Sequence, residues 1–255
     1  MLTPDAHIEP PKRMRITVVI PVKDDAVALA GCLTALQLQT RLADEIIVVD
    51  NASSDESAKM ADAAGATVIE CSEPGIPAAS SRGYDLSAGD LILRLDADCV
   101  PPASWVEQIE AAFADHSDVA AFTGGAYFID GPPLLRVVLS RMYLLAYVLA
   151  AAPALGHRPV FGSNFAMRRE AWQAIRSGVH RHDPELHDDF DLSFHLGEHH
   201  RVARMDGELM GISMRPFRSA TSFRRRLHRG FRTVLVHWPH DFPPSRWYRL
   251  VTQRP

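Results

Sequence analysis

The sequence predicts an α/β fold with a mainly parallel central sheet flanked by helices. In the first half, short runs rich in Val, Ile and Leu alternate with stretches of helical periodicity. Three of these runs end directly in polar and acidic residues, where ligands bind in open parallel sheets. The chain of 255 residues is long enough to bury a sizeable core without disulfides or structural metal.

Taken in order, Ile16–Val22, Glu45–Val49, Ala66–Glu70, Leu91–Leu95 and Val119–Thr123 read as buried strands, being short and rich in apolar residues. Between the first two, Leu29, Cys32, Leu33 and Leu36 recur at helical spacing. Asp55 can cap a helix running to Ala64, and Ser104 one running to Ala114. The small residues of Gly75–Gly83 suit a helix start that approaches a ligand, or equally a helix packed closely on the sheet. In the second half, helices are expected over Leu134–Ala152, Arg169–Ile175, Asp188–Glu198 and Ser222–Val236. The last is basic and amphipathic, with Phe223, Leu227, Phe231 and Leu235 on one face. This divides the chain into a tail (1–14), a first half (15–125), a second half (126–236) and a C-terminal extension (237–255).

With 47% hydrophobic and 23% charged residues, the composition is that of a soluble globular protein rather than a disordered or fibrous one. Met1–Arg13 lacks the apolar core of a signal peptide. The most apolar stretch, Leu134–Leu155, carries Arg136 and Arg141 and is interrupted by Pro153, so no spanning helix is expected. Cys32, Cys71 and Cys99 are scattered without zinc-like spacing, which fits a reducing, cytoplasmic compartment. The net charge of −4 hides an asymmetry. Arg215, Arg218, Arg224, Arg225, Arg226, Arg229 and Arg232 crowd the end, followed by Arg246, Arg249 and Arg254, with Asp241 the only acid among them. Such a stretch invites an anionic partner, a diphosphate or a phospholipid surface. No recognition motif accompanies the arginines, so nucleic acid is not expected.

The chemistry-bearing residues follow the strands. Asp96-Ala97-Asp98 places two carboxylates just past a buried strand, an arrangement able to share Mg²⁺ or Mn²⁺ with substrate phosphates, although such acids also cap helices or face water. Asp50, after Ile46–Val49, can accept a nucleobase N–H or a ribose hydroxyl. Asn51, Ser53 and Asp55 also read as a turn and helix cap. Arg82 could reach a phosphate. Further on, His187-Asp188-Asp189-Phe190-Asp191-Leu192 puts adjacent carboxylates at a helix start, where like charges raise one pKa and could create a general base. Capping is the expectation for Asp191. The histidines His195, His199 and His200 have near-helical spacing and are expected on a solvated helix face rather than around zinc.

In order and spacing these segments resemble the inverting glycosyltransferases of family 2, which have the GT-A (nucleotide-diphospho-sugar transferase) fold. The likeness runs from about Arg15 to Val236. Val18-Val19-Ile20-Pro21-Val22-Lys23-Asp24 looks like the family's opening strand and loop. Val48-Val49-Asp50-Asn51-Ala52-Ser53-Ser54-Asp55 looks like its nucleoside-binding strand end, and Asp96-Ala97-Asp98 stands where its metal-binding Asp-x-Asp sits. Gly162-Ser163-Asn164-Phe165-Ala166-Met167-Arg168-Arg169 resembles its G-x-N-x-A-F-R-R segment, and Asp188-Asp189-Phe190-Asp191-Leu192 its E-D-x-D-L.

The resemblance implies a metal-dependent transferase taking a UDP- or GDP-type sugar. Donor contacts would come from Pro21, Val22, Lys23, Asp24, Asp50, Asn51, Arg82, Asp96 and Ala97. Asp98, with Asp96, would hold Mn²⁺ or Mg²⁺, and His228, His237 or His240 could complete the set. Asp189 would be the base, and Gly162, Ser163, Asn164, Asp188, Arg225 and Arg229 would meet acceptor or diphosphate. The Gln-x-x-R-W of processive synthases is missing, with Arg225-Arg226-Leu227-His228-Arg229 in its region, which implies transfer of single sugars. A lipid-linked acceptor, peripheral contact with the inner face of a membrane and a homodimer stay open. A dehydrogenase is excluded because Pro21-Val22-Lys23-Asp24 stands where Gly-x-Gly-x-x-Gly should follow the first strand. The alternatives are a sugar nucleotidyltransferase, whose glycine- and lysine-rich loop is absent, and a non-catalytic binder of nucleotide sugars.

Overall fold

The computed structural model describes residues 13–217 and 219–253. Most of the expected N-terminal tail, and Arg218 and Arg254 of the basic stretch, therefore lie outside the described residues. Strands β1 (Ile16–Val22), β2 (Glu45–Asp50), β3 (Thr67–Glu70), β4 (Leu91–Arg94) and β5 (Val119–Thr123) form where the apolar runs place them. Between them lie helices α1 (Ala26–Gln37), α2 (Ser57–Ala63), α3 (Ile76–Leu86) and α4 (Trp105–Asp115). Leu29, Cys32, Leu33 and Leu36 form the buried stripe of α1, as their spacing requires.

Local hydrogen bonds explain the starts of these helices. One Asp55 oxygen accepts the Ala26 N–H opening α1 (2.9 Å), and the other accepts the Ser57 N–H opening α2 (3.0 Å). Asp55 thus secures two helices rather than the one expected. Ser104 does precede α4, but its hydroxyl is turned to Glu208 at 2.6 Å instead of capping. Helix α3 lies against β1 and β2 so closely that a Cβ on Gly83 would fall 2.4 Å from Val19 Cγ1. Its small residues therefore serve close packing at Gly83, while Gly75, Ile76 and Ala79 at its start line the cleft at the carboxyl ends of the strands.

The second half adds β6 (Ala126–Phe128), α5 (Arg136–Leu155), β7 (Phe165–Arg168), α6 (Arg169–Ile175) and α7 (Asp188–His199). After these come β8 (Arg201–Arg204), β9 (Met210–Ile212), α8 (Ala220–Val236) and α9 (Pro243–Gln253). The main sheet has the order β3-β2-β1-β4-β7-β5-β8. Every neighbour pair is parallel except those of β7, which runs antiparallel to both β4 and β5. Both halves therefore contribute to one sheet. A small parallel pair, β6 with β9, stands beside it.

Alternation along the strands separates two cores. Val18, Ile20, Val48, Leu91 and Leu93 pack with α1 and α4 on one face, whereas Val19, Ile47, Val49 and Ile92 pack with α3, α6 and α7 on the other. Cys32, Cys71 and Cys99 are buried and free. Residues after 236 are integral to the body, since His237 and Arg246 are buried and α9 packs on α5.

Helix α5 departs from expectation. It forms one continuous helix through Pro153, and among the described residues it is long and apolar enough to cross a membrane by length and composition. Only one flank is covered. Val138, Met142, Leu145 and Leu149 are all more than half exposed.

Candidate active site

Register brings the carboxyl ends of three strands together. Val22 of β1 pairs with Asp50 of β2, and Val19 of β1 with Arg94 of β4. The chain leaves each strand into a cleft of about 760 Å³ walled by Pro21, Val22, Lys23, Asp24, Asn51, Ala97, Asp98 and Ser163, and roofed by Arg225, Arg226 and Arg229 of α8. A smaller recess of about 90 Å³ continues from it, between Arg94, Asp96, Gly162, Asp188, Asp189 and Tyr147.

The β1 and β2 loops lock each other. The Lys23 ammonium donates to the carbonyls of Asn51 (3.1 Å) and Ala52 (2.8 Å), and the Ser54 amide donates to Asp24 (2.6 Å). Asp24 and Ala52 both hold left-handed backbone, φ 50° and 54°, a strained conformation for these residues that this lacing maintains. The Asn51 side chain ties β2 to the loop before α3, donating to Cys71 O and Glu73 O and accepting from Gly75 N–H.

At the heart of the recess is Arg94, 2% exposed. Its guanidinium bridges Asp96 at 2.9 Å and Asp188 at 3.2 Å. Burial alone would lower its pKa, but Asp96 and then Asp188 raise it, so the cation is firmly held. Room for it exists only because position 162 is glycine: a Cβ there would lie 1.7 Å from Arg94 Nη1. Asp96 is engaged at both oxygens, the second accepting from the Ser163 hydroxyl at 2.5 Å. The Asp98 carboxylate, which faces the cleft, is paired with Arg215 Nε at 3.2 Å, and Arg215 also pairs with Asp25. Burial, reinforced by Asp96, pushes the Asp98 carboxyl up to about 6.

Across the recess, Asp189 accepts the Gly162 N–H at 2.8 Å and is paired with His187. Burial would raise its pKa, yet the charge and hydrogen bond of His187, with Arg94 and the Gly162 amide, bring it down to about 2. The neighbouring Asp188 is raised by burial, against the pull of Arg94. The pair is therefore split: Asp189 is held ionised, and Asp188 serves the Arg94 bridge.

Not every expected residue reaches the cleft. Asp50 is buried behind its wall, with Oδ1 lacking any hydrogen-bond partner. Arg82 is exposed mid-way along α3 and is not part of the lining. Asn164 is fully buried, accepting from Trp105 Nε1 and donating to Gly125 O, so its amide braces the fold beneath the site. His237, a candidate third metal ligand, turns instead toward Asp191 at 2.9 Å. Asp191 is not a helix cap. His195 leaves the expected solvated face and joins the same group. Arg94, Ser163 and Arg215 carry much of the electrostatics, and the first had a sequence signal: a lone arginine in an otherwise apolar strand, two residues before Asp96.

The glycosyl transferase family 2 model matches residues 17–176, a span holding Asp50, Arg94, Asp96, Asp98 and Gly162. The chain belongs to glycosyl transferase family 2. Among curated relatives, the glycosyltransferase AglE of Haloferax volcanii is 33% identical over 101 residues, 36% of this chain and 33% of that protein. The undecaprenyl-phosphate 4-deoxy-4-formamido-L-arabinose transferase of Serratia proteamaculans is 34% identical over 124 residues, 45% of this chain and 37% of that protein. The chain thus spans about a third of the length of the curated relatives it matches.

Two solved structures extend the likeness to the whole fold. The mannosyltransferase PcManGT of Pyrobaculum calidifontis, in complex with GDP-Man and Mn²⁺, superposes with TM-score 0.64 at 20% identity, covering 94% of this chain and 70% of that one. Glucosyl-3-phosphoglycerate synthase of Mycobacterium tuberculosis, in complex with Mn²⁺, UDP and glucosyl-3-phosphoglycerate, does so with TM-score 0.61 at 20% identity, covering 88% and 79%. The fold is GT-A.

Proposed function

We propose that the chain is a metal-dependent glycosyltransferase that moves a single sugar, with inversion, from a UDP- or GDP-type donor to an acceptor hydroxyl. The observation that carries this reading is one continuous cleft with paired carboxylates at its floor, three arginines over it and the split Asp188–Asp189 pair at its inner end.

The donor set fits Mn²⁺ or Mg²⁺. Asp98 is a half-buried carboxylate whose pairing with Arg215 does not offset burial and the neighbouring Asp96, and Asp96 stands beside it, held in orientation by Arg94 and Ser163. A divalent ion bound there supplies charge neutralisation for the departing diphosphate. The protein's own groups do the rest. Arg225, Arg226 and Arg229 bind and orient the diphosphate from the α8 side. The orphaned Asp50 Oδ1 is the acceptor available to a nucleobase N–H if the wall shifts to admit it. Asp189, kept ionised by His187 and the Gly162 amide, takes the proton from the acceptor hydroxyl. General-base help of this kind is worth about a hundred- to ten-thousand-fold, and alignment of the reactants supplies much of the remainder.

The acceptor reading follows from the surface beside the cleft. The outward face of α5 is apolar, and α8 adds exposed Phe223, Leu227, Phe231 and Leu235 among arginines. A lipid-linked acceptor presented at the inner face of a membrane suits this combination of apolar and basic surface. One relative, the Serratia proteamaculans enzyme, is named for a lipid phosphate.

The test is thermal stability with UDP, GDP, CDP and dTDP sugars, with and without Mn²⁺. Donor at a hundred times its dissociation constant should stabilise the fold by about 2.7 kcal/mol. A metal-dependent shift with one base, absent in Asp98→Ala, supports the donor site. No shift with any donor refutes it, and binding without turnover or slow hydrolysis marks a non-catalytic binder.

A further inference from the structure

Away from the cleft, on the opposite side of α7 from Asp189, four side chains from three segments converge. Asp191 and His195 come from α7, His180 from the loop after α6, and His237 from the end of α8. One ligand atom from each lies within 4.8 Å of all the others. The three imidazoles address a single carboxylate oxygen: His180 Nδ1 at 2.7 Å, His237 Nε2 at 2.9 Å and His195 Nε2 at 3.8 Å from Asp191 Oδ1. Their ring centroids stand 5.1–5.7 Å apart around this point.

Hydrogen bonding explains only part of the arrangement. A carboxylate oxygen has two good acceptor directions, and His180 and His237 use them. The third nitrogen, His195 Nε2, is buried and makes no hydrogen bond, although it points into the same space. Leaving such a group unpaired costs about 1–3 kcal/mol. We propose that His180, Asp191, His195 and His237 form a structural site for a divalent transition metal of the Zn²⁺ class, distinct from the Asp96–Asp98 site.

The chemistry of the donor set is that of zinc: three imidazoles and one carboxylate fill a closed tetrahedron. Metal–ligand distances near 2.1 Å place tetrahedral ligand atoms about 3.4 Å apart. The oxygen–nitrogen separations of 2.7, 2.9 and 3.8 Å bracket that value, and all four ligand atoms lie within 4.8 Å of one another. A supporting partner is also in place, since His237 Nδ1 lies 3.4 Å from Asp241 Oδ2, the carboxylate–histidine arrangement that orients metal-bound imidazoles. Phe194 stacks on the His237 ring, centroids 3.9 Å apart, and shields one side.

The site has a mechanical consequence. Most of α8 is exposed, and its inward anchors are Thr233, Val234 and the terminal His237. A metal joining His237 to α7 fixes the far end of the helix whose arginines overhang the cleft.

The experiment uses the full chain, stripped with a strong chelator and dialysed, in wild type, Asp98→Ala, His195→Gln and His180→Gln. Co²⁺ is added first and followed by visible absorption, then displaced by Zn²⁺. Wild type and Asp98→Ala should each show the tetrahedral Co²⁺ bands at one equivalent, and Zn²⁺ but not Mg²⁺ should raise the melting temperature of Asp98→Ala. Each histidine variant should lose more affinity than the roughly ten- to hundredfold that removal of a supporting partner costs. His180 is partly exposed, so His180→Gln guards against a variant that merely fails to fold. Absence of tetrahedral Co²⁺ bands in wild type overturns the proposal and leaves a hydrogen-bonded histidine–aspartate network. Bands of equal strength in both histidine variants overturn it as well.

Discussion

Replacing Arg94 by Gln removes the cation that joins the Asp-x-Asp segment to the start of α7. The side chain is almost wholly buried and makes two ion pairs, at 2.9 Å to Asp96 and 3.2 Å to Asp188. Breaking a buried pair by deleting one partner costs about 3–5 kcal/mol, because the remaining charge is left uncompensated. For a chain of this size that lowers the melting temperature by roughly 6–20 °C. The loss also has a sign in pH. Burial already raises the Asp188 carboxyl, and without Arg94 it rises further. A carboxylate with a raised folded-state pKa binds more protons folded than unfolded, so it costs stability as pH increases above the unfolded value near 4. The variant should therefore lie furthest below wild type at pH 8 and approach it as pH falls toward 4. Urea unfolding of both proteins at pH 5 and pH 8 measures this. A loss under about 1 kcal/mol, or the same loss at both pH values, would refute the role given to Arg94.

Gly162→Ala puts a methyl group on the Arg94 guanidinium and should cost about 1–3 kcal/mol by overpacking; in a double-mutant cycle with Arg94→Gln the two losses should not add, and simple additivity would count against the contact. Asp189→Asn should lower turnover by about a hundred- to ten-thousand-fold while donor-induced thermal shifts persist, and unchanged turnover would remove Asp189 as the base. Charge reversal at Arg225 and Arg226 should weaken sedimentation with anionic vesicles at low salt, each lost cation being worth about 1 kcal/mol near such a surface. If wild type itself ignores the vesicles, the membrane reading fails.

The sequence by itself determined the alternating α/β first half. Five strands, the stripe on α1 and the positions of Asp50, Asp96 and Asp98 at strand ends follow from hydrophobic period and from the rule that ligands meet parallel sheets at carboxyl ends. These are local patterns, legible in a window of a few residues. Family membership was equally legible, because it rests on the order of such patterns.

Tertiary structure decided the rest, for reasons of length and partnership. Strands β6 and β9 have three residues each, and β8 is a four-residue strand with arginine at each end, so none carries a periodic signal. Strand β7 lies within the Gly162–Arg169 motif, and only its pairing with β4 and β5 makes it a strand. Arg94 looks like an oddity in an apolar strand until Asp188, 94 residues later, is brought within 3.2 Å. Likewise His180, His195 and His237 have no ligand-like spacing in the chain. Only the packing of α7 against α8 and the loop after α6 turns them toward one carboxylate oxygen. Sequence spacing reports neighbours along an element; charges and ligands that meet across elements are set by packing, which no single window contains.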